Sequence, residues 1–165
     1  LNMFCYTGGF SFYAMRGGAK LVHSVDSSAK AIELTKRNVE LNFPNDTRHE
    51  AFCEDAFKYL DKAGGDYDLV ILDPPAFAKH RAALRNALKG YTRLNVKAFE
   101  KMKSGGILFT FSCSQVVTKD NFRNAVFGKP LEPFHVWFSL GFGALTLLIG
   151  VLVFYRKQDK FILHI

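Results

Sequence analysis

Cysteine is scarce in this chain: Cys5, Cys53 and Cys113 are the only three, odd in number and far apart. Those counts exclude a disulfide framework and a zinc-ligand pattern, so no metal is expected. A reducing compartment is the natural setting, with the cytoplasm as the expected location. No signal peptide opens the chain. Acidic residues are outnumbered, 15 against 22 Lys+Arg, and the formal charge of +7 favours an anionic partner such as nucleic acid or a membrane surface. The G-x-G-x-x-G fingerprint of dinucleotide-binding folds is missing. The chain also lacks an initiating Met. Leu1–Phe4 already reads as strand, so a fragment with its upstream part missing is expected.

What is present suffices for one domain with a core: 48% of the 165 residues are hydrophobic. Apolar runs and turn residues alternate. Strands are expected at Leu1–Phe4, Lys20–Val25, Glu50–Cys53, Tyr67–Leu72 and Ile107–Phe111. Helices are expected over Phe10–Gly17, from Ser27 or Ser28 to about Asn42, over Ala56–Leu60, and from Arg81 to Lys103. Strands alternating with helices imply an α/β fold with a mostly parallel sheet. In such sheets ligands bind beyond the carboxyl ends of the strands. Polar clusters follow each strand: Thr7-Gly8-Gly9, Asp26, Asp55, Asp73 and Cys113.

Thr7-Gly8-Gly9 opens a helix, where glycine lets the backbone approach a ligand and present N–H donors; a plain tight turn is the alternative. Asp26 lies 18 positions beyond Gly8, a spacing that suits a ribose diol. Helix capping is its other reading. Asp55 can accept from the exocyclic amine of an adenine or cap the next helix. Together the three describe an adenosyl site without naming the adenosyl cofactor.

Asp73-Pro74-Pro75 makes a rigid ledge, because proline fixes φ and removes donors. A carboxylate there can grip a planar ring that offers N–H groups. Cys113 ends the fifth strand between Ser112 and Ser114, placed as a nucleophile would be; a small buried hydrophobe is the alternative. Cys5 and Cys53, at comparable strand ends, serve as internal controls. A thiolate and an Asp suit methylation at C5 of a pyrimidine. Addition of sulfur to C6 drives electron density onto C5, while the Asp holds N3 and the exocyclic amine of a cytosine. No residue is assigned to remove the C5 proton afterwards.

Arg81, Arg85, Lys89, Arg93 and Lys97 recur at i,i+4 steps, with no acid between Asp73 and Glu100. On one helix face they repel by about 0.2–0.5 kcal/mol per pair, and an anionic partner relieves this. A solvated face is the other reading, and Gly90 is a candidate helix break.

Leu1–Gly9 (LNMFCYTGG), Asp26-Ser27-Ser28, Asp55, Asp73–Lys79 (DPPAFAK), Gly90-Tyr91 and Phe111–Gln115 (FSCSQ) resemble the bacterial 23S rRNA 5-methylcytosine methyltransferases of the RlmI type. The resemblance runs from Leu1 to about Phe127. It implies a Rossmann-like class I methyltransferase core over residues 1–127 with S-adenosylmethionine as cofactor. It places Thr7, Gly8, Gly9, Asp26 and Asp55 at the cofactor, Asp73 between cofactor and target base, and Cys113 as nucleophile. RNA, most naturally ribosomal RNA, is then the partner, with Lys79, Arg81, Arg85 and Lys89 as its contacts. An RNA-binding PUA domain is implied upstream.

The resemblance stops before the tail, 128–165. Val136–Tyr155 is twenty residues without a charge, long enough for a bilayer core of about 30 Å. A C-terminal hydrophobic helix of non-family origin is expected there. A membrane-tethered binding protein, catalytically degenerate on the same fold, is the competing reading.

Overall fold

The computed structural model describes residues 1–128, 141–152 and 155. The chain divides into two compact units, Leu1–Gly128 and Lys129–Ile165. The first holds a five-stranded sheet in the order β3-β2-β1-β4-β5, every pair parallel. Its elements are β1 (Asn2–Met3), α1 (Gly9–Arg16), β2 (Val22–Asp26), α2 (Ala29–Asn42), β3 (His49–Cys53), α3 (Ala56–Lys62), β4 (Tyr67–Leu72), α4 (Leu84–Phe99), β5 (Met102–Thr110) and α5 (Lys119–Phe127). The α/β, Rossmann-like expectation is met.

Three expected boundaries moved, each for a local reason. β1 is cut short because Phe4 takes a left-handed φ of 59°, which no strand continues through. The long helix expected from Arg81 to Lys103 starts as a 3-10 turn, Arg81–Ala83, and ends at Phe99. There the Tyr67 amide donates to the Lys101 carbonyl (3.2 Å) and draws the chain into the sheet. The expected turn at Ser104-Gly105-Gly106 is a bulge inside β5, opposite Tyr67–Leu69, with Gly105 at φ 81°. Gly90 does not break α4.

Adjacent residues of β2 face opposite sides of the sheet, and each supports a polar network. On one side Ser24 Oγ sits 2.6 Å from Ser11 Oγ and 2.8 Å from His49 Nε2, and Asn2 Nδ2 donates to Ser11 (2.9 Å). On the other, His23 Nδ1 lies 2.8 Å from the Tyr67 hydroxyl and 3.0 Å from that of Tyr59. The main core includes Met3, Val25, Leu60, Val70, Leu72 and Leu94, each essentially solvent-free, together with Tyr59 of the second network.

Burial is the largest influence on both His23 and His49 and holds each below the ordinary 6.5, with Glu50 acting in the opposite direction. Both rings are therefore neutral in the folded protein near pH 7. Unfolding lets them bind protons at 6.5, so their contribution to stability is complete above that value and is lost as pH falls below it. Urea midpoints should drop on acidification through this window. His49→Gln should flatten the drop; an unchanged acid limb would exclude His49 as its source.

The expected apolar span 136–155 lies partly outside the described residues. Residues 141–152 and 155 are helical. Among the described residues no helix is long and apolar enough to cross a membrane.

Candidate active site

The strand order arranges the expected site residues along one sheet edge. Asp55 follows β3, Asp26 ends β2, Thr7-Gly8-Gly9 follows β1, Asp73 follows β4 and Cys113 follows β5. Neighbouring strands are about 4.8 Å apart, so the row extends about 19 Å. Chain connectivity reverses direction between β1 and β4, and that switch point is where parallel sheets open a crevice. Thr7–Gly9 and Asp73 border it.

Gly8 stands before α1 at φ 89°, and a Cβ there would lie 2.9 Å from both Phe12 Cζ and Thr35 Cγ2. Glycine is required at this position on both counts. A Cβ on Gly9 would meet nothing within 4 Å. No side chain caps the amino end of α1, whereas Ser28, Asp55 and Thr118 cap α2, α3 and α5. The open N–H groups of α1 suit the carboxylate of an amino-acid moiety.

The Asp26 carboxylate already holds the turn together. Its Oδ2 accepts from the Tyr6 amide (3.0 Å) and its Oδ1 from the Ser28 amide (2.9 Å). Each oxygen keeps a further acceptor site. Asp55 is the helix cap of its alternative reading: Oδ1 accepts from the Phe57 and Lys58 amides at 3.0 and 3.1 Å. Its Oδ2 has no partner among the described residues, so capping leaves one oxygen available for a ligand amine.

The loops that carry Asp73 and Cys113 are tied together by residues whose purpose was not visible in sequence. The Phe111 amide donates to the Leu72 carbonyl (2.9 Å), carrying the pairing of β4 and β5 to the edge of Asp73. Beyond it, Tyr91 on α4 is wholly buried. Its hydroxyl lies 2.9 Å from both Ser112 Oγ and Ser114 Oγ, and Ser114 Oγ also takes the Ala78 amide (3.1 Å). Phe77 stacks on the Tyr91 ring at 4.5 Å, and the absence of a side chain on Gly90 leaves the room, since a Cβ there would be 3.0 Å from Phe77. The serines thus anchor the loop on both sides of Cys113, and the same tyrosine anchors the loop after Asp73. Cys113 is exposed and Asp73 half-buried.

The other two thiols differ in surroundings. Cys5 is buried, and burial pushes its thiol up to about 11, which keeps it protonated. Cys53 is exposed, but it ends β3, three strands away from β4.

The basic series does not form one stripe. Arg81 is on the 3-10 turn rather than on α4. Arg93 lies over the Phe57 ring at 4.6 Å, and Lys97 pairs with Asp61. Lys79, Arg81, Arg85 and Lys89 are exposed and have no acidic partner among the described residues. No cluster of His, Cys, Asp and Glu fit to hold a metal occurs among the described residues.

The model of the S-adenosylmethionine-dependent methyltransferase family matches residues 1–126. The chain belongs to this family. Ribosomal RNA large subunit methyltransferase I of Tolumonas auensis is 44% identical over 135 residues, and that of Aeromonas hydrophila is 40% identical over 135. Each alignment covers 80% of this methyltransferase chain and 34% of the relative, so the chain spans about a third of their length. Among solved structures, a methyltransferase complexed with SAH superposes with a TM-score of 0.65 at 27% identity, over 78% of this chain and 35% of that one. The SAM-dependent methyltransferase of Agrobacterium tumefaciens superposes at 0.58 with 27% identity, over 77% and 43%. S-adenosylmethionine is thus the cofactor of the family, and the open α1 terminus, Asp26 and the free oxygen of Asp55 provide donors and acceptors of the kinds its parts require.

Proposed function

We propose that this chain is the catalytic core, residues 1–127, of an enzyme that methylates C5 of a cytosine in large-subunit ribosomal RNA. The observation that carries the reading is the order of groups along the edge: Asp55, Asp26, Thr7–Gly9, Asp73, Cys113. It matches, part for part, adenine, ribose, amino acid and target base. Asp55 accepts from the adenine amine through its unused oxygen, Asp26 from the ribose hydroxyls, and the α1 amides meet the carboxylate. Asp73 on its proline ledge grips the amine edge of the cytosine. Cys113, held between two anchored serines, adds to C6 as the thiolate, which makes C5 nucleophilic. When bound, S-adenosylmethionine supplies the electrophilic methyl group that C5 takes and leaves as S-adenosylhomocysteine; loss of the C5 proton then breaks the C6–S bond and frees the Cys113 thiolate.

Calorimetric titration of the chain with S-adenosylmethionine tests the cofactor half. One-to-one binding that weakens at least tenfold in Asp26→Ala is expected; no heat of binding would remove the reading. Lys79, Arg81, Arg85 and Lys89 contact the RNA backbone in this proposal. Arg85→Ala with Lys89→Ala should weaken RNA binding and lower the slope of log affinity against log salt by about 2, roughly one unit per lost phosphate contact. An unaltered slope would return the pair to solvent.

A further inference from the structure

Among the described residues three other than glycine have positive φ: Phe4, Tyr6 and Asn45, at 59°, 49° and 62°. Two have ordinary explanations. Asn tolerates the left-handed region, and the Phe4 ring packs against the main core. Tyr6 has neither. The residue is 71% exposed, and its hydroxyl has no partner among the described residues.

The backbone is nevertheless clamped in that conformation from three directions. The Tyr6 amide donates to Asp26 Oδ2 at 3.0 Å, its carbonyl accepts from Thr35 Oγ1 at 2.8 Å, and the Gly8 amide closes the turn on the Cys5 carbonyl at 2.8 Å. Tyr6 is the first central residue of that turn, and positive φ there alone is the pattern glycine ordinarily supplies. A large aromatic residue held in a strained, over-determined conformation with no packing return is the signature of a functional site rather than of folding.

Its position gives the ligand. Tyr6 directly precedes Thr7-Gly8-Gly9 and is hydrogen-bonded to the carboxylate read as the ribose acceptor. We propose that the Tyr6 ring is a wall of the cofactor pocket, packing on the adenosyl sulfonium ligand and favouring its positive charge from the ring face. The inference rests on the adenosyl reading of this edge and adds a residue to it. The phenol oxygen is not needed; the ring is.

Tyr6→Asn and Tyr6→Phe separate the ring from the backbone. Asn accepts the left-handed conformation, so the ligand-free melting temperature of Tyr6→Asn should equal or exceed that of the parent. Its affinity for S-adenosylmethionine, by calorimetry, should fall about tenfold, the scale of a partly desolvated cation–π contact. Tyr6→Phe should bind within about twofold of the parent. Unchanged affinity in Tyr6→Asn would overturn the proposal. So would a ligand-free melting point lowered in Tyr6→Asn, which would make the ring structural. A parent chain that binds no cofactor fails the adenosyl reading itself, a result separate from a parent that binds and a Tyr6→Asn variant that binds equally well.

Discussion

Cys113→Ser should abolish methyl transfer to ribosomal RNA, lowering turnover on the order of 10³-fold or more in the full-length protein, while leaving cofactor affinity unchanged. A serine hydroxyl at this position is too weakly acidic to add to C6. The substitution is nearly isosteric at an exposed site, so the fold should not suffer. Cys53→Ser should turn over at the parental rate. Cys5→Ser should do so where it folds, since Cys5 is buried against Thr35. Single-turnover transfer of a labelled methyl group distinguishes these variants. Parental turnover in Cys113→Ser would end the nucleophile assignment while leaving the methyltransferase family membership intact.

Gly8→Ala should be strongly destabilising. The left-handed φ of 89° and the 2.9 Å approaches to Phe12 and Thr35 act together. Backbone strain and overpacking sum to about 2–5 kcal/mol, a large part of the stability of a domain this size. Displacing Thr35 also loosens the carbonyl of Tyr6. Gly9→Ala is the contrasting variant: open space surrounds the added methyl, so stability should hold or rise by about 0.4–1 kcal/mol while cofactor affinity falls. Denaturant unfolding beside calorimetry separates the two. If both glycine variants lose only stability, the turn is structural and not a ligand contact.

The fold was legible because its signals are local. Leu-Val-Ile-Leu before Asp-Pro-Pro marks a buried strand, and β4 occupies Tyr67–Leu72 as expected. The shared edge of the proposed site residues was legible because a parallel sheet collects the ends of its strands there, whatever their separation in sequence. Ser112, Ser114, Tyr91, Phe77 and Gly90 were visible only as parts of motifs. Their common task is a hydrogen-bond and packing cluster across separate segments, which no spacing rule encodes. The strain at Tyr6 was hidden for a related reason: φ belongs to the folded turn, and Tyr is not a residue that advertises a left-handed position. The end of the Arg81–Lys103 helix was misjudged because pairing with Tyr67 competes with helical propensity over Glu100–Lys103.

The buried hydroxyl of Tyr91 makes the two loops it joins a single inheritable part. Grafting the Ser112–Ser114 segment into another scaffold, or replacing the Asp73–Lys79 segment, carries an obligation to bring the tyrosine and its glycine neighbour along. Engineers of altered specificity should exchange the three segments as a cassette, because the effects of piecemeal replacement will not add.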